Sequence, residues 1–157
     1  MHFLDGTEFG PEGVLHIARR AIALKAGAAP TKTTGKRIGL VFFNNSMRTR
    51  MSMVAASEAV GIHALVLSPG SDAWALEFEV GSKMDGSTAE HVKDAAAVLS
   101  GYVDLLAVRS FAALKDRDED RADPVLRAFA EYATVPVINM ESCLWHPLQG
   151  LADTTTW

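Results

Sequence analysis

Residues 37–50 read RIGLVFFNNSMRTR, an apolar run followed by a polar segment with two arginines. The run Arg37–Phe43 is apolar almost throughout instead of alternating, which is typical of a β-strand buried on both faces. The segment Asn44–Arg50 then leads into a helical pattern that we place at Thr49–Val60. A strand followed directly by a helix is the repeating unit of a parallel sheet with helices on its faces.

The same alternation recurs along the rest of the chain. Further strands are predicted at Ile62–Ser68, Asp104–Val108 and Val135–Asn139. Further helices are predicted at Glu12–Ala26, Thr88–Tyr102 and Pro124–Tyr132, the second of them capped by Ser87 or Thr88 and the third by Asp123. The order of elements predicts an α/β fold, a three-layer domain with a central parallel sheet of about four strands flanked by helices.

Length, charge and cysteine content restrict the class of protein. A chain of 157 residues is the size of one domain. Its 15 Lys and Arg against 19 Asp and Glu give a net charge of -4, so we expect no nucleic-acid and no membrane partner. The single cysteine, Cys143, and an amino terminus unlike a signal peptide predict a cytoplasmic protein.

Two connecting segments have opposite predicted characters. Ser68–Ser87 is a long connection with little regular pattern, and connections of that length within a compact domain are usually functional. Lys115–Asp123 (KDRDEDRAD) mixes both charges and is predicted to be a solvated surface segment.

The segment after the first strand carries the clearest chemical signal. Arg48 and Arg50 fall in the opening turn of a helix, where the macrodipole already makes the field positive, at a cost of about 0.3–1 kcal/mol for each charge. A phosphate would offset that cost and would also accept hydrogen bonds from the hydroxyls of Ser46 and Thr49. Alternatively, Ser46 is an ordinary helix cap and the arginines face water or surface carboxylates.

Other polar residues follow the remaining predicted strands. Arg109 comes after the third strand, and Glu141, His146 and Gln149 come after the fourth. Because ligands of open parallel sheets bind at the carboxyl ends of the strands, we expect these side chains to converge on one edge of the sheet. Cys143 near His146 leaves a cysteine nucleophile as a minor alternative, without an identifiable orienting group.

Two motifs and one position together resemble a known family. The segment Ser46–Arg50 (SMRTR) resembles the carbamoyl-phosphate motif S-x-R-T-R of the aspartate and ornithine carbamoyltransferases, and His146–Gln149 (HPLQ) resembles their second motif H-P-x-Q. Arg109 matches a further carbamoyl-phosphate contact. Stretches such as Lys83–Gly86 and Val135–Glu141 are most similar to the branch that carbamoylates N-acetylornithine or N-succinylornithine. The resemblance implies a fold like the amino-terminal domain of these enzymes.

The resemblance also implies roles for individual residues. The phosphate would be held by the first motif, namely Ser46, the Met47 backbone N–H, Arg48 and Thr49, with Arg50 supporting the loop from behind. Arg109, His146 and Thr49 would donate to the carbamoyl oxygen, and Gln149 would accept from the carbamoyl NH2 group. Such donors act like an oxyanion hole, each worth about 2.7–4 kcal/mol of the barrier.

Partners and assembly follow from the same resemblance. The substrates would be carbamoyl phosphate and an N-acylornithine, the pathway arginine biosynthesis, and no metal or cofactor would be needed. The family assembles as homotrimers in which a loop reaches the neighbouring site, and Trp74 matches the tryptophan of that loop. Glu141 matches a position near the acceptor, and an uncharged Ala89 is suited to the succinyl substrate.

The resemblance covers only the amino-terminal half of the family's fold. We expect residues 1–150 to form the carbamoyl-phosphate-binding domain and residues 151–157 to begin the connection to an amino-acid-binding domain that lies outside this sequence. A non-catalytic module for carbamoyl-phosphate binding or trimer assembly stays open as an alternative. A phosphate-sensing or receiver-type domain ranks last, because no acidic cluster is seen at the strand ends.

Overall fold

A four-stranded parallel sheet forms the centre of the molecule. In the computed structural model, which describes residues 1–156, the strands are β1 (Arg37–Phe42), β2 (His63–Leu67), β3 (Leu76–Glu77), β4 (Glu90–His91), β5 (Leu105–Arg109) and β6 (Val137–Glu141). The central sheet has the order β2-β1-β5-β6, and β3 pairs with β4 in a separate two-stranded sheet. All of these pairings are parallel.

Helices cover both faces of the central sheet. They are α1 (Gly10–Lys25), α2 (Arg48–Val60), α3 (Val92–Ser100), α4 (Arg117–Ala122), α5 (Pro124–Tyr132) and α6 (Pro147–Thr154), and a 3-10 turn at Thr7–Phe9 precedes α1. Among the described residues, no helix has both the length and the apolar character needed to cross a membrane.

Alternate residues of the strands supply two separate cores. On β1, Ile38, Leu40 and Phe42 belong to one core, which also takes residues of α2 and α6. Val41 points the other way, into a core shared with α3 and α5. This division arises because successive strand residues face opposite sides of a sheet. The predicted three-layer α/β architecture is thereby confirmed.

One glycine in β1 is required by close packing. A Cβ atom at Gly39 would lie 2.8 Å from Cδ2 of Leu106 on the neighbouring strand. Because Leu106 is fully buried, it has little room to withdraw. The absence of a side chain at Gly39 therefore leaves the space that Leu106 of β5 occupies on this face of the sheet.

The observed first and last residues of α5 are those predicted, whereas those of α3 differ most from the prediction. The helix predicted at Thr88–Tyr102 begins only at Val92, so neither Ser87 nor Thr88 caps it. Instead, Nδ1 of His91 accepts a hydrogen bond from the Lys93 N–H. The residues just before this helix are extended because Glu90 and His91 pair with β3, a tertiary contact that no local pattern contains.

The charged run Lys115–Asp123 is largely exposed, as predicted for a solvated surface segment, and it also contains a short helix that was not predicted. Residues 117–122 form α4, whose first N–H groups are bound by the Asp116 carboxylate, at 2.8 Å from the Asp118 nitrogen and 3.0 Å from the Glu119 nitrogen. Asp123 lies between α4 and α5 with φ of 48°, and its side chain makes no capping bond to α5. Its Oδ1 atom instead lies 3.4 Å from the Cys143 nitrogen, across the domain.

The amino-terminal residues extend the sheet beyond β6, which the sequence did not predict. Phe3 forms a parallel bridge with Ile138, with hydrogen bonds of 2.8 Å from the Phe3 nitrogen to the Val137 oxygen and from the Asn139 nitrogen to the Phe3 oxygen. These bonds satisfy backbone groups that an edge strand would otherwise expose. The segment thus protects the edge of the strand that leads to Glu141.

Candidate active site

A cleft of about 930 Å³ lies at the carboxyl ends of β1, β5 and β6. Its lining residues come from three places along the chain: Asn45, Ser46, Met47, Arg48, Thr49, Ser52, Met53, Arg109, Glu141, His146, Leu148 and Gln149. The convergence predicted from the strand ends is therefore present. Eight of the ten predicted site residues line this cleft, and Arg50 and Trp74 do not.

The amino terminus of α2 forms the positively charged wall of the cleft. The Ser46 hydroxyl oxygen accepts a hydrogen bond of 3.2 Å from the Thr49 N–H, one of the first N–H groups of α2. Ser46 is not the N-cap that the alternative interpretation predicts, because the N-cap residue is Met47. Arg48 is exposed and, within residues 1–156, makes no hydrogen bond or ion pair. An unpaired guanidinium beside free helix N–H groups is a strong anion site.

Arg109 is held rigidly at the back of the cleft. Its Nη1 atom donates to the carbonyl oxygens of Asn44 and Asn45, each at 3.1 Å. Its Nε and Nη2 atoms lie 3.3 and 3.1 Å from Oε2 of Glu141, and its guanidinium carbon lies 4.1 Å from the centre of the Phe111 ring. A guanidinium has five N–H donors, so one on Nη2 is left for a ligand.

The pairing of Arg109 with Glu141 depends on an irregularity between β5 and β6. Val108 is opposite Asn139, but Arg109 is opposite Glu141, so β6 has one extra residue at this point. Such a bulge re-aims side chains at the end of a strand. The bulge brings the Glu141 carboxylate beside the guanidinium, and the sequence pattern alone gave no sign of it.

His146 lies on the other side of Glu141 and begins α6. Its Nδ1 atom accepts a hydrogen bond of 3.3 Å from the Gln149 N–H, which assigns the proton of the neutral ring to Nε2. The Nε2 atom is 3.7 Å from Oε2 of Glu141. The Gln149 side chain donates from Nε2 to Asp153 at 2.8 Å, so its amide oxygen is available as an acceptor.

Arg50 lies behind the cleft, as the resemblance implied. Its Nη2 atom donates to the Ser68 hydroxyl at 2.5 Å, and its guanidinium carbon is 5.0 Å from the centre of the Phe42 ring. Ser68 is the first residue after β2 and begins the long loop. Arg50 therefore links the segment Ser46–Arg50 to the loop that carries Trp74.

Trp74 is remote from the cleft within its own chain. Its side chain is exposed, and its indole N–H donates to the Glu90 carboxylate at 2.8 Å. It borders an apolar groove formed with α3 residues such as Val98 and Leu99. Ala89, the residue before Glu90, is exposed.

Four lining residues were not predicted: Asn45, Ser52, Met53 and Leu148. Ser52 and Met53 lie on the first turns of α2, one helical turn beyond Arg48 and Thr49. Helical spacing after the S-x-R-T-R segment could have indicated them. Leu148 follows in the same way from its place inside the H-P-x-Q segment.

Cys143 faces away from the cleft and is not suited to nucleophilic chemistry. Burial, and next the negative charge of Asp123, raise the pKa of its thiol to about 11 from an ordinary value near 9. At pH 8 the thiolate fraction is therefore about a hundredfold below that of a free cysteine, and only the thiolate reacts.

We expect the folded protein to react with iodoacetamide at pH 8 about a hundredfold more slowly than the same protein unfolded in urea. The chain has one cysteine, so mass spectrometry reports this site alone. Asp123→Asn should speed the reaction because it removes the charge that raises the pKa. Equal rates in the folded and unfolded protein would contradict this assignment.

Comparison with known proteins identifies the fold. Residues 1–157 match the model of the aspartate/ornithine carbamoyltransferase carbamoyl-P binding domain. The N-acetylornithine carbamoyltransferase of Xanthomonas campestris pv. campestris is 46% identical over 151 residues, covering 96% of this chain and 44% of the relative. The N-succinylornithine carbamoyltransferase of Bacteroides thetaiotaomicron is 42% identical over 121 residues, covering 77% of this chain and 38% of the relative.

Solved structures of N-acetyl-L-ornithine transcarbamylase match equally well. A variant complexed with carbamyl phosphate and N-succinyl-L-norvaline has a TM-score of 0.93 and 45% identity, covering 99% of this chain and 46% of that one. A complex with acetylcitrulline has the same TM-score and 44% identity over the same shares. The chain spans less than half the length of these relatives. This chain therefore belongs to the aspartate/ornithine carbamoyltransferase family, and it corresponds to the domain of that family named for binding carbamoyl phosphate.

Proposed function

We propose that this chain supplies the carbamoyl-phosphate site for transfer of the carbamoyl group to the side-chain amine of an N-acylornithine in arginine biosynthesis. The observation that carries the proposal is the cleft between β1, β5 and β6. Arg48 lines it, and the Glu141 carboxylate lies between the buried Arg109 and His146. Relatives with this activity, and solved relatives bound to carbamyl phosphate, support it.

The phosphate is assigned to the wall formed by α2. The Arg48 guanidinium, the Ser46 hydroxyl and the Met47 N–H would donate to its oxygens. Thr49 would lie between the phosphate and the carbamoyl group, with its single hydroxyl proton directed to the carbamoyl oxygen. Each charge-assisted hydrogen bond contributes about 1.5–3 kcal/mol. Arg50 would not touch the phosphate and would act through its bond to Ser68.

The carbamoyl group is assigned to the opposite wall. When the neutral amine nitrogen attacks the carbonyl carbon, a C–N bond forms and negative charge grows on the carbamoyl oxygen. The bond from the carbonyl carbon to the phosphate oxygen then breaks, and the amine proton passes to the departing phosphate, which leaves as inorganic phosphate. The free Nη2–H of Arg109, the Nε2–H of His146 and the Thr49 hydroxyl are the donors for that charge. The Gln149 amide oxygen would accept from the carbamoyl NH2 group.

Assembly as a homotrimer is part of the proposal. Trp74, Val98 and Tyr102 are large side chains left more than half exposed on one surface of this chain. Burying them against a second copy would remove apolar area from water, at about 25 cal/mol per Å². In such an assembly Trp74 would exchange its bond to Glu90 for the acceptor in the neighbouring cleft.

Succinyl is the acyl group that we propose for the acceptor. Ala89 is exposed next to Glu90, the partner of Trp74, so it would face the same acceptor. Its uncharged side chain gives no repulsion against a succinyl carboxylate.

We further propose that residues 1–150 are the carbamoyl-phosphate-binding domain and that residues 151–157 lead to the acceptor domain. We also propose that the enzyme is cytoplasmic. Trp157 lies outside the described residues.

Calorimetric titration with carbamoyl phosphate or its phosphonate analogue tests the proposal. We expect saturable binding to the wild type, weakened about 10- to 100-fold by Arg48→Ala, because one charge-assisted contact worth about 1.5–3 kcal/mol is lost. Lys32→Ala is the matched control, because Lys32 is an exposed cation bound to the Ala59 oxygen away from the cleft. No binding by the wild type, or equal binding by Arg48→Ala, would refute the proposal.

A further inference from the structure

The turn between β6 and α6 sets the place of His146, yet three of its four side chains do little to hold it. In the turn Ser142–Trp145, the side chains of Leu144 and Trp145 are about half exposed, at 44% and 53%. The side chain of Cys143 faces Asp120 and Leu144 in a separate groove. Nothing in these three side chains fixes the direction in which His146 enters the cleft.

Hydrogen bonds within the turn and from the buried Asn139 hold it instead. The Ser142 N–H donates to the Trp145 carbonyl at 2.8 Å, and the Trp145 nitrogen lies 3.4 Å from the Ser142 hydroxyl. Asn139, fully buried in β6, lies beneath both residues. Its Nδ2 atom is 3.1 Å from the Ser142 hydroxyl and 3.4 Å from the Trp145 carbonyl oxygen.

The same amide group also binds the amino-terminal segment. Nδ2 of Asn139 is 2.7 Å from the Leu4 carbonyl oxygen. Its Oδ1 atom is buried and has no hydrogen-bond partner among the described residues. The Asn139 side chain therefore acts through its NH2 group alone, whose two hydrogens are shared among three acceptors from two distant parts of the chain.

We propose that Asn139 is a positioning residue, which with Ser142 fixes the Ser142–Trp145 turn and thereby holds the His146 imidazole beside Glu141. His146 is the residue directly after the Trp145 carbonyl, so a shift of that carbonyl rotates the start of α6. The Nε2 atom of His146 is 3.7 Å from Glu141, and a displacement of about 1 Å at such a site is enough to cost a hundredfold in rate.

The test combines hydrogen exchange of the turn with binding of the phosphonate analogue of carbamoyl phosphate. In Ser142→Ala and Asn139→Leu we expect the amides of residues 142–146 to exchange at least tenfold faster and the analogue to bind about tenfold more weakly. Asn139→Leu keeps the branched shape but has no donor, and Ser142→Ala is the milder change if Asn139→Leu fails to fold.

Two control variants separate positioning from general destabilisation. Leu144→Ser changes the turn itself at an exposed side chain and should leave both measurements as in the wild type. Val137→Ala removes a fully buried side chain of the same strand and should speed exchange throughout the domain, without selective loss at residues 142–146.

The inference rests on the proposed function only for its binding measurement. If the wild type does not bind the analogue, the proposed function fails, and exchange at residues 142–146 still decides whether Asn139 holds the turn. Exchange and binding like the wild type in both Ser142→Ala and Asn139→Leu would overturn the inference. So would weaker binding with unchanged exchange, because the effect would then bypass the turn.

Discussion

Arg109→Ala is expected to weaken binding of the phosphonate analogue at least a hundredfold. The substitution removes the free Nη2–H donor, and it also leaves the Glu141 carboxylate in the cleft without its counter-charge. That uncompensated negative charge repels the anionic ligand. A hundredfold loss corresponds to about 2.8 kcal/mol, and calorimetric titration at fixed ionic strength measures it.

The same substitution should lower the free energy of unfolding by about 3 kcal/mol. Removing one partner of a buried ion pair costs about 3–5 kcal/mol, and we expect the lower end because the Glu141 side chain is 29% exposed and water can solvate it. The carbonyl groups of Asn44 and Asn45 also lose their donor. Urea denaturation gives this value.

Glu141→Gln is the matched control for Arg109 and should change binding in the opposite direction. It retains the shape of the side chain and removes the negative charge, so we expect the analogue to bind more tightly than to the wild type. Arg109→Lys keeps the positive charge but loses the planar guanidinium group with its several N–H donors, and it should weaken binding of the analogue. Tight binding by Arg109→Ala would show that this arginine only supports the fold.

Phe129→Ala is expected to lower the free energy of unfolding by about 3–5 kcal/mol. Phe129 is fully buried on α5, and its ring meets Phe43 edge to face with centroids 5.9 Å apart. The truncation leaves a cavity in the core that joins α3 and α5 to the sheet. Urea denaturation followed by circular dichroism measures the loss.

Glu131→Ala is the control for Phe129. Glu131 is on the same helix α5 but is exposed, so its truncation should change the free energy of unfolding by less than about 0.5 kcal/mol. A loss below about 1 kcal/mol in Phe129→Ala would contradict the assignment of Phe129 to a closely packed core.

The elements of the sheet could be predicted because their signal is local. The runs at Arg37–Phe43 and Asp104–Val108 are apolar on both faces, a pattern that only a covered parallel strand explains well. The helix Pro124–Tyr132 was predicted to the residue, since proline marks its first turn. In contrast, the pairing of β3 with β4 brings together residues more than ten positions apart, and no local pattern encodes it.

Most of the residues that line the cleft could be predicted from the sequence, but the contacts between them could not. Residues after parallel strands must share one edge of the sheet, so Arg109 and His146 could be assigned to one cleft from their positions along the chain. The bond between Arg109 and Glu141 required the extra residue in β6. Only the tertiary structure could supply it.

The sequence by itself determined most of the side chains that reach the cleft, because the ends of the buried strands are marked by short-range patterns of apolar and polar residues. The tertiary structure alone decided how those side chains are held: Arg109 by Glu141, Arg50 by Ser68, and the turn before His146 by Asn139. The reason is physical. Hydrogen bonds and ion pairs depend on distances of a few tenths of an ångström between residues far apart in the chain, and these distances are fixed only when the strands pair and the layers pack.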